Sequence, residues 1–199
     1  MQAQARHHAD AHTLNTSFDP LLSKTMHTLV LGTMPGQKSL QLKQYYAHPR
    51  NALWPILCAI VNGEKPTYKV HQQLSYGERC KLITNAGFGL WDVLASCERP
   101  GSLDGNIVRE SEYPNDIPAL LRQHPDVERI VCNGRTAEKL FQRHILGQLD
   151  APLPTIACLP STSPAMAALS LIEKFERWCE ALSFSQAPSQ QNSPPDVSN

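Results

Sequence analysis

The stretch from Thr28 to Val61 constrains this chain more than any other. Thr28 to Leu31 is a short, β-favouring apolar run that stops at Gly32. Leu53, Ile56, Leu57 and Ile60 then recur at i, i+3, i+4 and i+7, the stripe of a helix laid on a core. The loop between them is rich in chemistry. Gly32, Pro35 and Gly36 let backbone N–H groups turn toward a ligand, Tyr45 and Tyr46 offer stacking faces, and Asn51 sits where the helix begins. In open α/β sheets, a loop leaving the carboxyl end of a strand is where ligands bind most often.

The rest of the chain repeats this alternation. Gly87 to Leu94 is an apolar run read as a second strand ending near Asp92, Glu128 to Cys132 as a third broken by Asn133-Gly134, and Pro154 to Cys158 as a fourth. Helices are predicted over Glu78–Ala86, over Asn115–Gln123 with Pro118 in the first turn, and over Arg135–His144 with Ala137, Leu140 and Phe141 on one side. A last helix is opened by the capping box Ser170-x-x-Glu173 and turns Leu171, Phe175, Trp178 and Leu182 inward. Tyr68 to Tyr76 carries no clear period. The fold class is therefore α/β with a mostly parallel sheet. Residues 1–19 are expected to be a disordered polar leader, 20–183 one domain, and 184–199 a disordered Pro/Ser/Gln-rich tail.

Composition removes several function classes. With 18 basic and 18 acidic residues the chain has no net charge, so any nucleic-acid affinity must be local, for instance a rim made by Lys38, Lys43, Arg50, Arg99, Arg135 and Lys139. The longest apolar stretch, Trp54 to Val61, is far too short to cross a bilayer, and the N-terminus lacks the apolar core of a signal peptide. A cytoplasmic, monomeric protein is expected. The six cysteines are dispersed without a C-x-x-C pair, which points to reduced, buried thiols. Neither their spacing nor the leader histidines His7, His8 and His12 argues for a metal, and no cofactor is expected.

Two motifs carry a resemblance. Gly32-Thr33-Met34-Pro35-Gly36, followed by Gln44-Tyr45-Tyr46-Ala47-His48-Pro49-Arg50-Asn51-Ala52-Leu53-Trp54, resembles the first motif of the uracil-DNA glycosylase superfamily, in its mismatch-specific and hypoxanthine branches and closest to the latter. Ser161-Thr162-Ser163-Pro164-Ala165-Met166 resembles the second motif, with Ser161 where a His or Asn is usual. The resemblance implies a three-layer α/β/α sandwich around a four-stranded sheet. It also implies an enzyme that flips a damaged nucleotide out of DNA and hydrolyses its glycosidic bond, here at deoxyinosine.

The resemblance also implies roles. Related branches have an acidic or amide side chain where this chain has Met34, which moves the catalytic burden to Asn51 and leaves Gly32, Thr33 and Met34 to contact the base. Tyr46 would stack on the flipped base, so Tyr46→Ala should weaken binding of flipped substrate. Asp92 and Asn133 would read its edge. Ser161, Thr162 and Ser163 would hold phosphate, with Ala165 or Met166 as the wedge.

Read without the resemblance, each residue has a plainer role. Asn51 can cap the helix, Tyr46 can cover the core, and Asp92 and Asn133 can each end a turn. Gly32 to Ser39 also approaches a phosphate-binding G-x-x-x-x-G-K-S loop, but Gln37 separates the glycine from the lysine and Pro35 removes an N–H donor. A uracil-specific enzyme of the same fold and a catalytically inactive nucleic-acid-binding module are the remaining alternatives.

Overall fold

A computed structural model describes residues 14–183 of the chain. The expected leader up to residue 13, with its three histidines, and the expected tail 184–199 lie outside the described residues. In chain order the elements are β1 (Leu14–Thr16), β2 (Thr28–Gly32), α1 (Gln37–Leu42), α2 (Leu53–Asn62), α3 (Val70–Gln73), α4 (Tyr76–Asn85), β3 (Phe88–Asp92), β4 (Leu94–Glu98), β5 (Tyr113–Pro114), α5 (Ile117–Gln123), β6 (Arg129–Asn133), α6 (Arg135–His144), β7 (Thr155–Leu159) and α7 (Leu171–Ser183).

Four strands form one parallel sheet in the order β3-β2-β6-β7. Because side chains alternate along a strand, each strand feeds two cores. Val30, Leu90 and Val131 pack with α2 and with Trp178 of α7 on one face. Leu29, Leu31, Ile130 and Cys132 pack on the other face, with Ile117 and Leu120 of α5 and Ala137, Leu140 and Phe141 of α6. This is the expected three-layer sandwich, and the sheet within it is wholly parallel. Coverage on both faces explains why the strands read as continuous apolar runs.

The topology also fixes where a ligand can enter. After β2 the chain leads to α2 on one face, whereas after the neighbouring β6 it turns to α6 on the opposite face. Two adjacent strands whose chains leave in opposite directions open a crevice beyond their carboxyl ends.

Several local expectations need correction. No strand was expected between Asp92 and the helix at Asn115, but Leu94–Glu98 is one, held because Leu94 and Cys97 are fully buried. It is the centre of a small antiparallel sheet, β1-β4-β5. Part of the expected disordered leader is thereby ordered. Leu14–Thr16 pairs with Ser96–Glu98, and Leu21 bridges to Leu90. That strap carries no hydrophobic period because its order comes from backbone pairing. The loop between β2 and α2 contains the six-residue α1, too short to show a period. Helix α4 begins at Tyr76, ahead of Glu78, because Ser75 and Glu78 form a reciprocal capping box. The capping box expected at Ser170 and Glu173 is present, with Ser170 N donating to Glu173 Oε2 at 2.8 Å and Glu173 N to Ser170 Oγ at 3.2 Å. Among the cysteines, Cys58, Cys97 and Cys132 are buried, but Cys158 is exposed on the edge strand β7.

Candidate active site

A cavity of about 460 Å³ opens at the crevice between β2 and β6. Every candidate residue named above, from Gly32 through Asn51, Asp92 and Asn133 to Met166, lines it. Residues far apart in the chain meet here because the parallel sheet brings four strand ends to one edge.

The floor is built around Gly32. A Cβ at this position would lie 2.3 Å from Asp92 Oδ1 and 2.8 Å from Tyr46 Oη, so only glycine lets the two groups crowd over the strand end. Asp92 ends β3 in register with Gly32 and is 3% exposed. Its backbone oxygen accepts from Asn115 Nδ2 at 2.8 Å, and its Oδ2 accepts from Ser17 Oγ at 2.7 Å. Burial pushes the Asp92 carboxyl up to about 7. Ser17 pulls against the rise, the Asp104 carboxylate adds to it, and Arg99 opposes it.

The raised pKa has a consequence for folding. Between the ordinary carboxyl value near 4 and about 7, the folded chain holds a proton that the unfolded chain has shed. The stability contributed by this group is therefore full below about pH 4 and is lost as pH rises through about 7. Asp92→Asn is expected to raise stability at neutral pH, by at most a few kcal/mol on the order of this linkage. It should also flatten the pH dependence of the urea midpoint between about pH 4 and 7. An unchanged profile would remove Asp92 as the group responsible.

Tyr46 is held in the left-handed region at φ 52°, a conformation that non-glycine residues adopt when their surroundings enforce it. Its hydroxyl is buried without a well-formed hydrogen bond, and the Asn133 side chain is its polar neighbour. Burial raises the phenol pKa, with Asp92 adding to the rise, so Tyr46 remains a neutral donor. Tyr45 packs instead, 4% exposed, with its hydroxyl donating to Phe18 O and Asp19 O.

Asn51 is not the N-cap of α2, which is Ala52 with no side-chain cap, but it stands one residue ahead and holds the turn into the helix. Its Oδ1 accepts from Leu53 N at 2.9 Å, tying down the start of α2. An amide oxygen has two lone pairs and the NH₂ has two hydrogens. One lone pair is used by Leu53, and Nδ2 has no protein partner among the described residues. A buried amide at the edge of the cavity can thus hold the turn into α2 and still hold a water or donate to a base.

Asn133 and Thr162 serve the architecture. Asn133 Nδ2 donates to Thr162 Oγ1 at 2.8 Å, and Thr162 N donates to Asn133 Oδ1 at 2.9 Å. Thr162 O in turn accepts from Ala52 N at 2.9 Å. This corrects one expectation. The fully buried Thr162 hydroxyl fixes the loop and does not meet phosphate, whereas the Asn133 amide keeps one N–H and one lone pair at the cavity. Ser161 and Ser163 are half-buried, with hydroxyls accepting from Ser163 N and Ala165 N at 3.2 Å each. Lys174, 4% exposed on α7, donates to Met166 O at 2.7 Å and Ser163 O at 3.4 Å. A buried ammonium therefore clamps the loop from behind while Ala165 and Met166 stay exposed at the rim.

Three contributors escaped the sequence reading. Ser17 lay in the expected leader. Asp104 also lines the cavity, and its Oδ1 accepts from Arg99 Nη1 at 3.3 Å. Burial raises its pKa, opposed by the Thr33 hydroxyl and Arg99. Arg99, expected on a basic rim, is 2% exposed and donates Nη2 to Pro35 O, so it clamps the first-motif loop to the 99–106 loop. Met34 packs into the apolar core beside Val93 and cannot orient water. The remaining expected rim residues, Lys38, Lys43, Arg50, Arg135 and Lys139, are exposed. A Ser or Arg becomes visible as a site residue only once the chain is folded, so no sequence signal marked them.

Among the described residues, no cluster of three metal-ligating side chains is found, and no helix is long and apolar enough to cross a membrane. The family model of the Uracil DNA glycosylase superfamily matches residues 20–183. The Hypoxanthine DNA glycosylase of Methanosarcina barkeri is 30% identical over 118 residues, which cover 59% of this chain and 70% of that relative. The Hypoxanthine DNA glycosylase of Methanosarcina acetivorans is 31% identical over 124 residues, 62% of this chain and 73% of that relative. The chain also superposes with a TM-score of 0.68 on the solution NMR structure of a Methanosarcina acetivorans protein described as a candidate uracil DNA glycosylase. That match has 29% identity and covers 85% of this chain and 96% of the other.

Proposed function

The chain belongs to the uracil DNA glycosylase superfamily, and from that premise we propose that it excises hypoxanthine from DNA, hydrolysing the glycosidic bond of deoxyinosine and leaving an abasic site. The observation that carries this reading is the cavity floor, where a carboxylate oxygen without a hydrogen-bond partner among the described residues, Asp92 Oδ1, stands beside Tyr46 and Gly32. Hypoxanthine presents a donor, N1–H, where adenine presents a lone pair. An ionised Asp92 accepts from the first and repels the second. The names of the two Methanosarcina relatives support the same substrate.

In the reaction, a water oxygen bonds to the sugar C1′ as the C1′–N9 bond breaks, the electron pair leaves with the base, and the proton shed by the water ends on the base, which departs as neutral hypoxanthine. Positive charge grows on the sugar and negative charge on the purine, so preorganised dipoles carry most of the catalysis. Asn51 holds the water or donates to the departing base. Tyr46 bears on the base, and the 161–166 loop, clamped by Lys174, meets the backbone around the gap. No step places a lysine on the sugar.

The test is base release from duplexes carrying one deoxyinosine or one uracil, scored by strand cleavage after alkali. Cleavage at inosine supports the assignment. Cleavage at uracil alone transfers the site to the uracil-specific reading, since the uracil N3–H suits the same carboxylate. Binding without cleavage of either would mark an inactive module. Release of hypoxanthine should also rise with pH through about 7 as Asp92 ionises.

A further inference from the structure

We propose that Ser17 is the positioning residue that makes Asp92 a one-ended acceptor for the flipped base: its hydroxyl engages Oδ2 and leaves Oδ1 to face the cavity. The inference rests on the proposed function and extends it to a residue outside the segment matched by the family, which starts at residue 20. Ser17 and Asp92 are 75 residues apart and meet through a built arrangement. Ser17 N donates to Ala95 O at 2.8 Å, continuing the pairing of β1 with β4. Leu21 N donates to Leu90 O at 2.9 Å, and Trp91 Nε1 donates to Phe18 O at 3.2 Å. The strap crosses the end of β3 and holds the hydroxyl behind the carboxylate.

A serine hydroxyl has one hydrogen to give. While it is donated to Oδ2, a proton taken up by the Asp92 carboxyl is favoured on Oδ1, the atom that faces the base. Neutral Asp92 then becomes a donor, which suits the N1 lone pair of undamaged adenine and no longer accepts hypoxanthine N1–H. Discrimination between damaged and normal purine therefore depends on keeping Asp92 ionised. The groups facing it are few. Asp104 opposes ionisation, Arg99 favours it, and Tyr45 and Tyr46 remain neutral phenols. Asn115 engages the backbone oxygen only. Among the described residues, Ser17 is the one side chain that hydrogen-bonds the carboxylate directly. Charge-assisted hydrogen bonds of this kind are the strong ones.

The experiment compares full-length wild type, Ser17→Ala and Ser17→Thr in single-turnover release of hypoxanthine and of adenine from matched duplexes between pH 5.5 and 9. The Asp92 carboxyl is titrated in parallel by ¹³C NMR of the free proteins. Ser17→Ala should move the acid limb and the Asp92 titration upward by about one pH unit. Hypoxanthine release at pH 7 should then fall about fivefold, with a smaller loss at pH 9 and a lower hypoxanthine-to-adenine ratio. Ser17→Thr, which keeps the hydroxyl, should restore all three. A rate lowered equally at every pH with an unmoved Asp92 titration would overturn the proposal and leave Ser17 a structural residue. A wild type that releases no hypoxanthine while its Asp92 titration still responds to Ser17→Ala would overturn the substrate assignment and retain the Ser17–Asp92 coupling.

Discussion

Asn51→Ala is expected to lower hypoxanthine release by about 10²- to 10³-fold, the loss that follows removal of one preorganised dipole from a charge-developing transition state. Binding of inosine-containing duplex should change little, because Asn51 is assigned to the chemical step and not to the grip on phosphate. The substitution also removes the acceptor for Leu53 N, so stability should fall by about 1 kcal/mol, the usual net worth of one hydrogen bond. Asn51→Asp separates the two effects. It retains an oxygen for Leu53 N but has no NH₂. If Nδ2 donates to the departing base, the aspartate variant should match alanine in rate and wild type in thermal midpoint. If Oδ1 orients the water, it should retain much of the rate. Near-normal turnover of Asn51→Ala in a folded protein would remove Asn51 from the mechanism.

Gly32→Ala should be nearly as damaging, for a steric reason. Its Cβ would stand 2.3 Å from Asp92 Oδ1 and 2.8 Å from Tyr46 Oη, so one or both groups must be displaced. Asp92 is pinned by Ser17 and Asn115, while Tyr46 is fixed by its left-handed backbone. Overpacking of this kind destabilises by about 1–3 kcal/mol. Displacing the base-reading pair by even an ångström should cost about 10²-fold in rate. Single-turnover release and a thermal melt measure the two effects separately. A folded Gly32→Ala protein with wild-type turnover would mean that the base does not rest over this strand end.

Parts of this site were legible because their signals are local. Gly32 follows an apolar run, Asn51 stands one step before a helical stripe, and Ser161–Met166 lies between the last strand and the last helix. Each position is fixed by a period or a break within a few residues. The individual contacts were not legible. Thr162 looked like a phosphate ligand and proved to be the buried partner of Asn133. Arg99 looked like a surface cation and proved to be a buried clamp on Pro35 and Asp104.

By itself, the sequence determined the alternation of strands and helices, the parallel sheet with its two apolar faces, and the strand ends at which chemistry could gather, since hydrophobic periodicity is set by which side of each element is buried. Only the tertiary structure decided that a strap expected to be disordered would bring Ser17 onto Asp92, that Asp104 would enter the cavity, and that the Asp92 carboxyl would be raised to about 7. The physical reason is that a hydrogen bond or a desolvated charge depends on which distant groups the topology places within about 3 Å, a quantity that no local pattern encodes.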